Sequence, residues 1–291
     1  MTALAVALAV LGALCFAVAA TLQHREVRAV TPATGTLSAG GLRDLVRRRR
    51  WLAGFALGAA GAALHLLALV LAPLPLVQPL GVLAVPMAVL LAGRTPPQAG
   101  VLIGVALTVA GVAGFVGLSA DAGSGAATPS GAVTDAGLAV ALAVAVLVGF
   151  AHVRTAWVRS LANAAAAAVS FGYGSVLLRA ASLMVDGGSL VDAAGAVGAA
   201  AVALLVGGWL VQQAFASGPP ETTVACLTVV DPIVAVCLAM AVLGEGRTAS
   251  PGALLAAAAV ATAGVLVLAR HHPDAVDRRR RDPLPSRRRP G

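Results

Sequence analysis

One carboxylate stands where a charge is hard to keep. The stretch Leu227–Val236 reads LTVVDPIVAV, with a single acid, Asp231, and Pro232 directly after it. Uncharged, mostly apolar sequence continues from Thr222 to Leu243 on both sides. A helix rises about 1.5 Å per residue, so Asp231 falls near the middle of a hydrocarbon layer about 30 Å thick. Centring an Asp there costs roughly 2.5–3.5 kcal/mol on insertion scales, so the group needs a partner or a proton. Two roles suit it. Asp followed by Pro is a helix-start signature, which predicts a break at Val230 and a half-helix from Pro232 capped by Asp231. Half-helix ends at mid-membrane are also where transporters hold substrates and coupling ions. The roles are compatible, because a capping Asp beside a cavity can also exchange a proton.

Fewer signals come from the other polar residues in apolar surroundings. His65 stands alone in GAALHLLAL and reads first as a satisfied core histidine, second as a solute contact. Gln78 and the pair Gln212–Gln213 lie near the ends of apolar segments. They read as interfacial caps or as the two mouths of a pathway. Ser170, Tyr173 and Ser175 in VSFGYGSVLL give a polar strip, and Gly172 and Gly174 between them allow close helix approach, so packing is the default. Cys15, Cys226 and Cys237 lie in apolar runs without paired spacing or a His partner, which favours packing over a zinc site or a disulfide. The sequence contains no His-x-x-x-His, no Gly-x-Ser-x-Gly and no second acid deep in an apolar run. That argues against an enzyme, and no cofactor or metal site is expected.

The elements that position these residues follow from composition. The chain of 291 residues is 59% hydrophobic and 11% charged, against about 25% charged in a soluble domain. Nine apolar spans are expected: Thr2–Leu22, Trp51–Leu71, Leu74–Ala92, Ala99–Ser119, Gly137–Val153, Leu161–Leu183, Ala193–Gln213, Thr222–Leu243 and Gly252–Ala269. The fold class is therefore all-α, a polytopic helical membrane protein of nine transmembrane helices, or ten. The first span lacks the basic leader of a signal peptide, and its charges come afterwards, which favours an uncleaved helix.

All 20 basic residues are arginine. With the amino terminus outside and nine crossings, loop 23–50, Arg94, Arg154, Arg159 and the tail 270–291 are cytoplasmic. Only Arg179 and Arg247 then fall near the outer side, as the positive-inside rule requires. The net charge of +8 gathers in that loop and tail. Without interleaved aromatics or a folded basic face, the tail reads as a disordered segment drawn to anionic lipid and not as a nucleic-acid surface.

A duplication is visible. In Ala72–Arg94 and in Gly218–Arg247 a proline at a short turn is followed thirteen residues later by a second, Pro73 to Pro86 and Pro219 to Pro232. Each copy then runs to a turn ending in Gly-Arg-Thr. Five spans separate equivalent helices, so the copies enter the membrane in opposite directions, as an inverted repeat does. The expected organisation is a first repeat over 1–119, a connector with the fifth helix over 120–160, a second repeat over 161–269 and the tail 270–291.

These residues resemble a known superfamily. Gly61–Pro86 looks like the second and third helices of the NIPA-type magnesium transporters, and Gln212–Gly252 is similar to the closing half of EamA-type proteins. Both belong to the drug/metabolite transporter (DMT) superfamily. The resemblance implies a secondary transporter in the plasma membrane that moves a small molecule or ion by alternating access, with its site between the halves. Metabolite efflux is the first expectation. Magnesium or another divalent cation is the second, since such a site prefers several oxygen ligands and only Asp231 lies deep in a span. A non-transporting scaffold or accessory subunit is the alternative from another class, and a homodimer is compatible with each. The candidate substrate or proton pathway comprises Asp231, Pro232, Pro86, Gln78, His65, Ser170, Tyr173 and Gln212.

Overall fold

Apolar runs of this length satisfy their backbone groups in lipid only as helices or closed barrels, and helices are what this chain forms. The computed structural model describes residues 2–32, 35–71, 80–92, 98–119, 132–153, 155–244 and 250–270. Pro73, Gln78, Arg247 and the tail beyond residue 270 lie outside the described residues. The helices are α1 (Thr2–Val30), α2 (Ala39–Leu45), α3 (Arg49–Leu71), α4 (Ala84–Ala92), α5 (Ala99–Ser119) and α6 (Ala132–Phe150). They continue with α7 (Ala156–Asp186), α8 (Leu190–Ser217), α9 (Pro220–Leu238) and α10 (Pro251–Arg270). A π-helical turn, Ala239–Leu243, extends α9. No strand occurs among the described residues.

Seven helices, α1 and α5 through α10, are long and apolar enough to cross a membrane. The chain is a multi-pass helical membrane protein. The remaining two expected spans fall on α3 and on α4, of which α4 has only nine residues.

The predicted break at Asp231 does not occur. Helix α9 runs unbroken through Pro232, and Asp231 sits in its interior and caps nothing. An interior proline costs about 3 kcal/mol and leaves the carbonyl four residues back, here that of Thr228, without its donor. Packing outweighs that penalty, because α9 touches α1, α4, α5, α7, α8 and α10. Further along, α9 closes in the π turn, which ends at Gly244 with φ +67°. The Gly244 N–H donates to the Ala239 carbonyl there, a left-handed closure that favours glycine. The real interruption lies in the first half. Residues 82–83 form a turn after helical residues 80–81, with the Leu83 N–H donating to Leu80 at 3.1 Å and that of Val85 to Val82 at 3.0 Å. Pro86 follows in the first turn of α4, where its missing N–H has no intrahelical use.

Helix pairing repeats between the halves. Helix α1 packs on α3 and α4, and α7 packs on α8 and α9. Across the halves α4 meets α9, and α5 meets α10. Small residues set these distances. A methyl group on Gly104 would stand 2.8 Å from the Leu268 nitrogen and 3.0 Å from the Gly264 oxygen, so α5 and α10 touch backbone to backbone. Gly54 and Gly58 face α1 at Ala19, as their spacing predicts. Gly12 and Gly61 bring α1 and α3 together one layer further on.

Packing density is graded along the bundle. In α9 every residue from Pro220 to Cys226 is buried, whereas all six from Asp231 to Val236 are half-buried. Six residues cover more than a full turn, so the looser packing applies to every face of that stretch. Helix α8 shows the reverse order, with only Ala193, Ala196 and Ala200 buried before Val206 and nearly every residue buried from Leu210 to Ser217. The dense end gathers the last turns of α1 and α8 and the first turns of α3, α7 and α9. Arg25, Arg28 and Arg47–Arg50 lie at that end, which is called the basic end below.

Candidate functional site

Asp231 begins the loosely packed half of α9. Its carboxyl has no hydrogen bond and no ion pair among the described residues, although it lies inside a bundle of helices. Its backbone touches α7, because a methyl group on Gly172 would stand 3.0 Å from the Asp231 carbonyl oxygen and 3.1 Å from the Ala235 nitrogen. Just beyond that contact a groove of 180 Å³ opens between α7 and α9. Ser175, Val176 and Arg179 line one wall, and Ala235, Val236 and Ala239 the other. Ala235 is one helical turn from Asp231 on the same face, so the groove ends close to the acid's own turn. Such an arrangement can present a carboxyl to a proton, or to a small cation, arriving past Arg179 from the end opposite the basic end.

The other expected residues scatter. Tyr173 turns away from α9, its hydroxyl donating to the Val133 carbonyl of α6 at 3.0 Å. Ser170 and Ser175 each bond back within α7, to Ala166 and Phe171. Ser170 is buried and Ser175 exposed, so the expected polar strip does not form. His65 packs its ring against Gly81, at the interruption before α4. Its Nδ1 is buried without a hydrogen-bond partner among the described residues, unlike the satisfied histidine expected. Pro86 lies half-buried on α4, which shares one apolar cluster with α9. Gln78 lies outside the described residues. Pro232 is beside Asp231 in the interior of α9.

Gln212 does more than cap an interface. Its Nε2 donates to Oε1 of Gln23 on α1 at 2.8 Å, and its Oε1 accepts from Nε1 of Trp51 on α3 at 3.0 Å. The neighbouring Gln213 pairs with both backbone groups of Leu37, which the sequence reading did not single out. Glutamines 161 to 189 residues from their partners leave no local sequence signal. Only their position beside an apolar span pointed to them.

Comparisons with protein-family models, with curated proteins and with solved structures find no match for this chain. The drug/metabolite resemblance therefore rests on the residues quoted above. Among the described residues no three His, Cys, Asp or Glu side chains come together as a metal site would need. A divalent cation reaching α9 through the groove would meet one carboxyl, with Ser175 and the cationic Arg179 on the facing wall. The three cysteines are free, Cys226 buried in the dense half of α9 and Cys237 exposed beyond Asp231.

Proposed function

We propose that this chain is a secondary transporter that carries a small solute across the plasma membrane by alternating access, with Asp231 as the proton- or cation-binding group of its pathway. One observation carries the reading: a carboxyl with no partner among the described residues, at the start of the half-buried stretch of α9, with a groove one turn further on. An intramembrane acid is hard to keep unless it works, and a mid-membrane position is where coupling groups act. A scaffold would cap that acid, and in α9 it caps nothing.

Nine crossings, as two inverted repeats of the drug/metabolite type, complete the proposal. Support comes from the pairing of helices, since α1 with α3 and α4 mirrors α7 with α8 and α9. The pairs α4–α9 and α5–α10 join counterparts, as helices related by a twofold axis in the membrane plane do. Nine crossings with the amino terminus outside put the basic end in the cytoplasm. Metabolite efflux is the favoured direction, and magnesium ranks below it because a single carboxyl poorly replaces the oxygen shell of that ion. The deciding experiment is a solute screen on protein reconstituted in liposomes, with and without an imposed pH gradient. Flux that rises with the gradient and depends on Asp231 supports the reading, and its absence across the screen removes it.

A further inference from the structure

The basic end is closed by side chains that tie one half of the chain to the other. The Leu37 N–H donates to Oε1 of Gln213 at 3.0 Å, and Nε2 of Gln213 donates back to the Leu37 carbonyl at 2.7 Å. A single carboxamide thus takes both backbone groups of one residue, as a neighbouring strand would. Beside it Gln212 joins Gln23 and Trp51. Arg28 donates to the Ala216 carbonyl at 2.9 Å. Each bond runs from α1, α3 or the segment between them to α8.

That segment crosses the end of the bundle as a strap. Leu37 and Leu45 are buried in the same cluster as Val27, Trp51, Ala214 and Phe215. Gly35 turns the strap with φ +72° against the guanidinium of Arg159 on α7. Neutral amides suit a closure that must open, because each can exchange its partner for water without stranding a charge. At the other end of the same helices Asp231 to Val236 are only half-buried, and a groove opens beside them between α7 and α9.

We propose that the strap 35–45 with Gln23, Trp51, Gln212 and Gln213 is a latch, which keeps the basic end shut while the opposite end is open to Asp231. The inference rests on the transporter reading, and it assigns this structure to the state open away from the arginines. Opening the latch would hydrate the first two turns of α9, where Cys226 is now buried.

Cys226 is therefore the reporter. With Cys15→Ala and Cys237→Ala it becomes the sole thiol, and a membrane-impermeant maleimide is applied to sealed vesicles of both orientations. Cys226 should react slowly from either face in the otherwise native chain. Gln213→Met keeps the side-chain volume but cannot pair with Leu37, and Gln23→Met cuts the second contact from the α1 side. Either should raise labelling from the basic face about ten-fold and leave the opposite face unchanged. Unchanged labelling in a variant that elutes as a single folded species overturns the latch. So does a failure of both variants to fold, which would make these contacts structural. No solute is needed, so a faster label without any transported solute would keep the latch and remove the transport reading.

Discussion

Gly172 and Asp231 meet backbone to backbone: a methyl group on the glycine would lie 3.0 Å from the carbonyl oxygen of the acid. One close contact between α7 and α9 therefore falls on the turn that carries the intramembrane carboxyl. Val234 on the same turn stands equally near, at 3.0 Å. Gly172→Val should force the helices apart, at a loss of about 1–3 kcal/mol typical of overpacking. Chemical denaturation in detergent measures this. A variant as stable as the parent would mean that the contact is slack.

Asp231→Asn should fold and insert normally. The carboxyl caps no helix and has no partner among the described residues, so exchanging it breaks none of their contacts, and the neutral amide lowers the roughly 2.5–3.5 kcal/mol insertion penalty of a centred Asp. Transport by the variant should no longer respond to a pH gradient, because the amide cannot titrate. Proton-dependent flux in a well-folded Asn variant would leave Asp231 without the coupling role.

Pro232→Ala should stabilise α9 toward the roughly 3 kcal/mol that an interior proline costs, since it restores a donor for the Thr228 carbonyl. If the proline gives α9 its compliance, solute flux should fall while the melting temperature rises. Equal stability with unchanged flux would show that the helix has already absorbed the missing bond.

Orientation has its own test. A cysteine placed in 121–135 should react with an impermeant reagent added to intact cells, and one placed in 278–289 should not. The opposite pattern would put the arginines outside and remove the nine-crossing arrangement.

Much of the fold was legible because each element announces itself within its own residues. An apolar run of about 20 residues is a helix in lipid whatever its neighbours do, so seven of the nine expected spans carry a helix long and apolar enough to cross a membrane. Asp231 was legible for the same local reason, as a charge in the wrong solvent. The break at Pro232 was misread because proline's local preference yields to six neighbouring helices. The strip of Ser170, Tyr173 and Ser175 was avoidable, since at about 100° per residue those positions diverge around the helix. The pairing of Gln213 with Leu37 spans 176 residues, and no local pattern encodes it.

The close crossing of α5 and α10 means that the two halves need no covalent link in order to recognise each other. Gly104, Thr108 and Gly264 meet there, with the Thr108 hydroxyl donating to the Gly104 carbonyl at 2.9 Å and lying against Gly264, where any side chain would collide with it. A chain cut between α5 and α6 and expressed as two polypeptides should therefore reassemble in the membrane. In genetic terms the gene tolerates fission there, and a Gly264→Leu change should abolish complementation between the fragments while leaving each one inserted.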